Sequence, residues 1–188
     1  INDIMYRFRD LKGLDFVDIS TAELENDVYT SAENQMAQNN QTAALKSFND
    51  YIATYPNGLH ATKAYFNSAE INYSNNKINE AKANYENVLK RGTSEYTEQS
   101  LLRLANMYLT ENDKANATRV LKQLEINASN DTNKLFAQSN LMKAAYDEGD
   151  ITTASKYATI LATNSKVDKR IKADATAISA RVAMKNSD

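Results

Sequence analysis

Apolar residues recur at spacings of three and four along most of this chain, the period of helices that bury one face. In "LLRLANMYLTENDKANATRVLKQL", residues 101–124, two such blocks flank the polar joint Glu-Asn-Asp-Lys. The first block carries Leu101, Leu104, Ala105 and Tyr108, and the second Ala117, Leu121 and Leu124. Each block predicts an amphipathic helix, and the joint predicts a tight turn between them.

The two-block phrase then repeats. Ala117, Leu121 and Leu124 have counterparts Ala81, Tyr85 and Val88 thirty-six residues upstream, and Ala44, Phe48 and Tyr51 thirty-seven further back. Ala154, Ala158 and Leu161 follow thirty-seven downstream. The first block keeps step through Ala32, Ala69, Ala105, Met142 and Ser179, with Val28, Tyr65, Leu101, Gln138 and Ala175 four residues before each. Self-similarity at a fixed period is the mark of a stacked repeat array. The copies fall near residues 25–58, 62–97, 98–134 and 135–171, with a partial copy at 172–188 in an array spanning 21–188. The predicted fold is all-α, about four and a half helix pairs.

Punctuation agrees with this division. Asn39-Asn40, Asn75-Asn76, Asn112-Asp113 and Gly149-Asp150 sit between the blocks, and Asn and Gly tolerate the left-handed backbone that ends a helix. Pro56-Asn57-Gly58 closes the first copy, where Pro cannot continue a helix. Ser20-Thr21-Ala22-Glu23 has the form of a capping box opening the first long helix. Residues 1–20 form a lead-in, and 1–19 do not join the register; "IMYRFRD" and "LDFVDIS" suit the tail of a preceding helix and an extended connector. "RIKADATAISARVAMKNSD" fits the first helix of a fifth copy, with the expectation that the array continues beyond it; a natural cap with a polar outer face is the alternative.

Leu101, Leu104, Ala105, Tyr108, Ala117 and Leu121, with Ala44, Phe48 and Pro56 in the first copy, resemble the tetratricopeptide repeat. Gln35 and Asn72 depart from its aromatic position, Ala158 replaces a large residue, and the 36–37 period exceeds the family's 34. The stretch "ALKSFNDYIATYPNG…ATKAYFNSAEINYSNNKINEAKANYENVL" is more specifically similar to bacterial envelope scaffolds, such as the Tol-Pal-associated coordinator and the outer-membrane assembly lipoprotein. The resemblance implies a right-handed superhelix whose first helices line a concave groove that holds a protein or peptide, and a periplasmic or envelope location. On that implication the groove residues are Tyr29, Glu33, Met36, Lys63, Phe66, Glu70, Tyr73, Leu102, Asn106, Leu109, Lys143 and Tyr146. Tyr29, Phe66, Leu102 and Tyr146 are large for solvent-facing places, and the competing reading is that these side chains complete the core. One family subtype clamps a partner's C-terminal carboxylate; here Tyr29, Glu33 and Gln99 occupy its key places and Arg103 alone suits the task.

Composition narrows the function classes. Twenty-two Lys and Arg against 24 Asp and Glu leave a net charge of −2, which supplies no basic footprint for nucleic acid or an anionic membrane. The chain holds no Cys, so disulfides, thiolate metal sites and Cys nucleophiles are excluded. His60 is the single histidine, and Glu23, Glu25 and Asp27 crowd a helix N-terminus, where acids complement the helix dipole. Lys166, Lys169, Arg170 and Lys172 form a basic run broken by Asp168 and Asp174, and read as a solvated helix start. The sequence carries no nucleophile elbow and no phosphate-cradling Gly loop. The expectation is a non-catalytic protein-interaction scaffold without cofactor or metal. A spacer or self-assembly segment is the alternative, and RNA binding by a related helical repeat is disfavoured by the charge.

Overall fold

The computed structural model describes residues 21–185. Within them lie nine helices and no strand: α1 (Thr21–Ala37), α2 (Gln41–Thr54), α3 (Ala61–Ser74), α4 (Ile78–Lys90), α5 (Thr97–Thr110), α6 (Lys114–Asn127), α7 (Asp131–Asp147), α8 (Ile151–Thr163) and α9 (Lys169–Lys185). Four helix pairs are thus followed by a single helix. Residues 1–19, Ser20 of the capping box and residues 186–188 lie outside the described range.

All four intra-pair joints are built alike. Asn39, Asn76, Asn112 and Gly149 adopt φ of 59°, 58°, 57° and 79°. The next residue in each, Asn40, Lys77, Asp113 or Asp150, returns its N–H to the carbonyl five positions back at 2.8–2.9 Å. This closure satisfies carbonyls that the ending helix leaves open. Three of these residues also start the following helix: Asn40, Asp113 and Asp150 accept the N–H of Ala43, Asn116 and Thr153. Lys77 holds the same position without a side-chain cap.

The register defines the core. Ala44, Phe48 and Tyr51 are buried, as are Ala81, Tyr85 and Val88, then Ala117, Leu121 and Leu124, then Ala154, Ala158 and Leu161. Ala32, Ala69, Ala105 and Met142 are buried opposite them on the first helices. Burying each large aliphatic or aromatic side chain stabilises by about 1.5–3 kcal/mol. Small residues at the alanine positions let helix backbones approach.

The chain divides into two compact units, residues 1–61 and 62–188. In the first, α1 packs on α2 through Tyr29, whose ring centroid lies 5.8 Å from Phe48 and 5.4 Å from Tyr51. Glu25 on α1 clasps the segment after α2, accepting the Tyr51 hydroxyl at 2.5 Å and the Leu59 N–H at 2.6 Å. Tyr51 in turn accepts the His60 N–H at 2.9 Å. Gly58 makes room for this clasp, since a Cβ there would lie 2.5 Å from Glu25 Oε1 and 2.6 Å from the Tyr51 hydroxyl.

The second unit shares one continuous core running from Ala69 to Val182. Packing follows chain order, α4 on α5 and onward to α8 on α9, and the first helices α7 and α9 also touch. Polar ties repeat the step. Arg103 on α5 pairs with Glu70 on α3 at 3.1 Å, Arg119 on α6 with Glu86 on α4, and Lys143 on α7 with Asp174 on α9 at 2.9 Å. Glu98 at the start of α5 accepts the Ser129 N–H at 3.0 Å and the Asn133 amide at 2.7 Å, tying the α6–α7 joint as Glu25 ties the α2–α3 joint. Within the second unit each copy therefore holds the next, the stacking of a solenoid. The first helices begin earlier than the periodicity predicts, at 131 and 169 where copies were expected to open at 135 and 172. Asn130 and Asp168 side chains accept the N–H of Asn133 and Ile171, capping the helix one turn upstream of the apolar pattern.

Candidate functional site

The first-helix face of each unit carries the residues expected to bind a partner. In the first unit Tyr29 does not face solvent. It is 2% exposed, wedged between Phe48 and Tyr51 and stacked on the His60 ring at 4.3 Å with 13° between planes. The expectation of a solvent-facing Tyr29 is corrected: its ring completes the core, and its hydroxyl donates to Glu33 at 3.0 Å. Met36, one turn on, is exposed. His60 Nε2 lies 2.6 Å from Asn26 Oδ1, so the single histidine tethers a joint.

In the second unit α3 presents Lys63, Phe66, Glu70 and Tyr73 at helical spacing, α5 presents Leu102, Asn106 and Leu109, and α7 presents Lys143 and Tyr146. Most are engaged. Glu70 accepts the Tyr85 hydroxyl and receives Arg103 in a two-point pair, Nε to Oε1 at 3.2 Å and Nη2 to Oε2 at 3.1 Å. The Arg103 guanidinium also lies 4.6 Å from the Tyr73 ring centroid. The pairing with Glu70 raises the Arg103 pKa further, while burial pushes the Tyr85 hydroxyl up, with Glu70 adding to the effect. Phe66 packs against Tyr96 at 4.9 Å and edge-on to Tyr85 at 6.2 Å. Lys143 is tied to Asp174, and the Arg181 guanidinium lies 6.0 Å from the Tyr146 ring. Glu70 and Lys143, expected among the groove residues, are thus held by neighbouring copies.

What remains open lies on the far half of α5. Asn106 and Leu109 are exposed, and a cleft of about 310 Å³ opens beside them. Tyr73, Asn76, Ile78, Asn106, Met107, Thr110 and Glu111 line it. Its floor is apolar (Ile78, Met107 and the Tyr73 ring), and its rim carries amide, hydroxyl and carboxylate groups. Lys82 neutralises Glu111, with Nζ 2.7 Å from Oε1 and 2.5 Å from Oε2. The periodicity brought Tyr73 and Asn106 to this place. It missed Asn76 and Ile78, which the left-handed turn at Asn76 swings against α5; the joint dyad was the signal that could have found them.

Among the described residues no group of three His, Cys, Asp or Glu side chains is placed to hold a metal ion. Among them, too, no helix is long and apolar enough to cross a membrane.

Two crystal structures of the Podosopora anserina putative kinesin light chain nearly identical TPR-like repeats are similar to this chain, each at 15% identity over 89% of both chains, with a TM-score of 0.47. No curated protein matches it. The family model described as tetratricopeptide repeat-like domain matches residues 15–136, nearly two thirds of the sequence and three of its helix pairs. The chain belongs to the tetratricopeptide repeat-like domain family.

Proposed function

We propose that the second unit captures a protein segment along α3 and α5, with the cleft beside Asn106 receiving an apolar side chain. Folds of this family are in general non-catalytic scaffolds for protein interaction. The carrying observation is the cleft: an apolar floor and a hydrogen-bonding rim next to exposed Leu109, on the helix face the family uses. Concave sites of about this size with a few polar groups suit a single side chain or small ligand. The resemblance of residues 44–89 to bacterial envelope scaffolds supports an envelope setting for this capture.

Screening a peptide library against the whole chain, then against Asn106→Arg with Leu109→Asp, tests this. Both positions are exposed, so helicity stays unchanged while affinity for selected peptides falls by about tenfold or more, the equivalent of losing one anchor. Peptides that bind both proteins equally would overturn the reading. A spacer role is the second reading. It is favoured by the use of Phe66, Glu70, Lys143 and Tyr146 in contacts within the second unit, and a library yielding no α3–α5 binder would support it.

A further inference from the structure

We propose that the cleft beside Asn106 takes a tyrosine side chain of the captured segment and holds its hydroxyl on Glu111. The assignment of this anchor rests on the capture of a protein segment along α3 and α5.

The second unit satisfies its half-buried glutamates in a recurring way. Glu70 receives Arg103 and accepts the Tyr85 hydroxyl. Glu86 receives Arg119 and accepts the Tyr108 hydroxyl at 2.9 Å. Glu125 accepts the Tyr157 hydroxyl at 2.8 Å and the Gln138 amide at 2.9 Å. A carboxylate has about four lone-pair sites, so a paired cation leaves room for a hydroxyl. Glu111, on the cleft rim, has its cation: Lys82 Nζ lies 2.7 Å from Oε1 and 2.5 Å from Oε2. Its side chain is 39% exposed, close to the 32% of Glu70. Yet no tyrosine among the described residues donates to it. The hydroxyl that completes the other glutamates would here come from a partner.

The neighbours of Glu111 also call for a donor. Asn106 Nδ2 donates to the Leu102 carbonyl at 3.0 Å, and the Thr110 hydroxyl donates to the Asn106 carbonyl at 2.8 Å. A carbonyl only accepts, so Thr110 has spent its one hydrogen on the helix, and Asn106 keeps Oδ1 to accept. A charged donor does not suit this place. Lys82 already neutralises Glu111, and the Arg103 guanidinium stands 4.6 Å from the Tyr73 ring that forms part of the floor. A further cation would lose its water beside like charges, and a carboxylate would face Glu111. An aromatic ring instead matches the floor of Ile78, Met107 and Tyr73, where the Met107 sulfur offers a favourable contact. At about 310 Å³ the cleft is at the small end of ligand sites, with room for one such ring. Tyrosine joins that ring to a neutral hydroxyl.

The probes are peptides that the whole chain selects from a random library and that lose affinity in Asn106→Arg with Leu109→Asp. Tyrosine should recur at one position among them. Replacing that tyrosine by Phe should weaken binding about tenfold, the effect of one hydrogen bond to a charged acceptor. In Glu111→Ala, which alters an exposed side chain, the Tyr and Phe peptides should bind within about twofold of each other. A merely structural role of Glu111 would weaken both peptides alike and preserve the tenfold ratio, and that result would overturn the proposal. So would another recurring anchor, or Tyr and Phe peptides that bind the unaltered chain equally; either would leave capture itself standing. Peptides indifferent to the Asn106 and Leu109 pair would instead overturn the capture reading, and the tyrosine assignment with it.

Discussion

Tyr29 and Phe48 in the first copy become Phe66 and Tyr85 in the second, yet both copies keep a tyrosine hydroxyl on the glutamate of the same register. Tyr29 donates to Glu33 and Tyr85 to Glu70, while the ring pairs stay at 5.8 and 6.2 Å. The hydroxyl has changed helices without leaving its acceptor, as expected when a buried polar group must be matched. Other buried hydroxyls are not matched: Ser100 is fully buried on α5 and its Oγ has no hydrogen-bond partner. Ser100→Ala should raise stability by about 1 kcal/mol, since it removes an unmet desolvation cost and almost no volume; an unchanged or lower urea midpoint would contradict this. Gly58→Ala should act in the opposite sense. Its Cβ would press on Glu25 Oε1, the Tyr51 hydroxyl and Tyr55 Cβ, all within 2.9 Å, and overpacking of this kind costs about 1–3 kcal/mol. Calorimetry showing no loss would mean that the clasp is loose.

At the scale of the helix, punctuation was the legible part. Asn39, Asn76, Asn112 and Gly149 announced left-handed joints, and all four adopt them. The second-helix registers were equally plain, because each is occupied by residues that can only be satisfied inside. Side chains reaching across copies were not legible. Glu25 was expected to complement a helix dipole, but it accepts a hydroxyl and an N–H from residues 26 and 34 positions away. Periodicity tells which face is apolar; it does not tell where a long polar side chain ends. Tyr29 was misplaced for the same reason, since an aromatic on a first helix suits either a groove or a core until its neighbours are known. The exception among the caps yields a prediction. Lys77 occupies the cap of α4 without a side-chain bond, whereas Asn40, Asp113 and Asp150 each make one. Lys77→Asp should stabilise by about 0.5–2 kcal/mol, and Asp113→Ala should destabilise by a similar amount. Thermal melts in which the two shifts share a sign would refute the assignment.

The whole molecule responds to pH at both ends. The Tyr51 hydroxyl above all, with the Leu59 and His60 N–H groups, holds the Glu25 carboxyl below its usual range. Hydrogen bonds from Ser129 and Asn133 do the same for Glu98, from Asn116 for Asp113 and from Thr153 for Asp150; Lys166 lowers Asp131, and Lys143 lowers Asp174. The unfolded chain takes up these protons first, so this stability is complete above the ordinary carboxylate range and is lost as pH falls through and below about 4. At the alkaline end burial, then Glu86, pushes Tyr108 up to about 12, and burial with Glu125 raises Tyr157. Here the folded state holds its protons longer. The tyrosine contribution is complete below the ordinary value of 10.0 and declines above it. Melting temperature should therefore stay level between about pH 5.5 and 9 and fall on either side. A melting temperature that rises on acidification below 4 would contradict this.

Neighbour-on-neighbour stacking is the claim on which the register, the ties and the capture face all rest. Amide exchange of Ala154→Asp, which places a charge in the fully buried contact of α8, tests it most directly. A solenoid predicts that α7, α8 and α9 lose protection by about tenfold or more while α3 and α4 keep theirs within about twofold, because each copy is stabilised by those beside it. Equal loss from α3 to α9 would show one undivided cooperative core instead, and the account would fail.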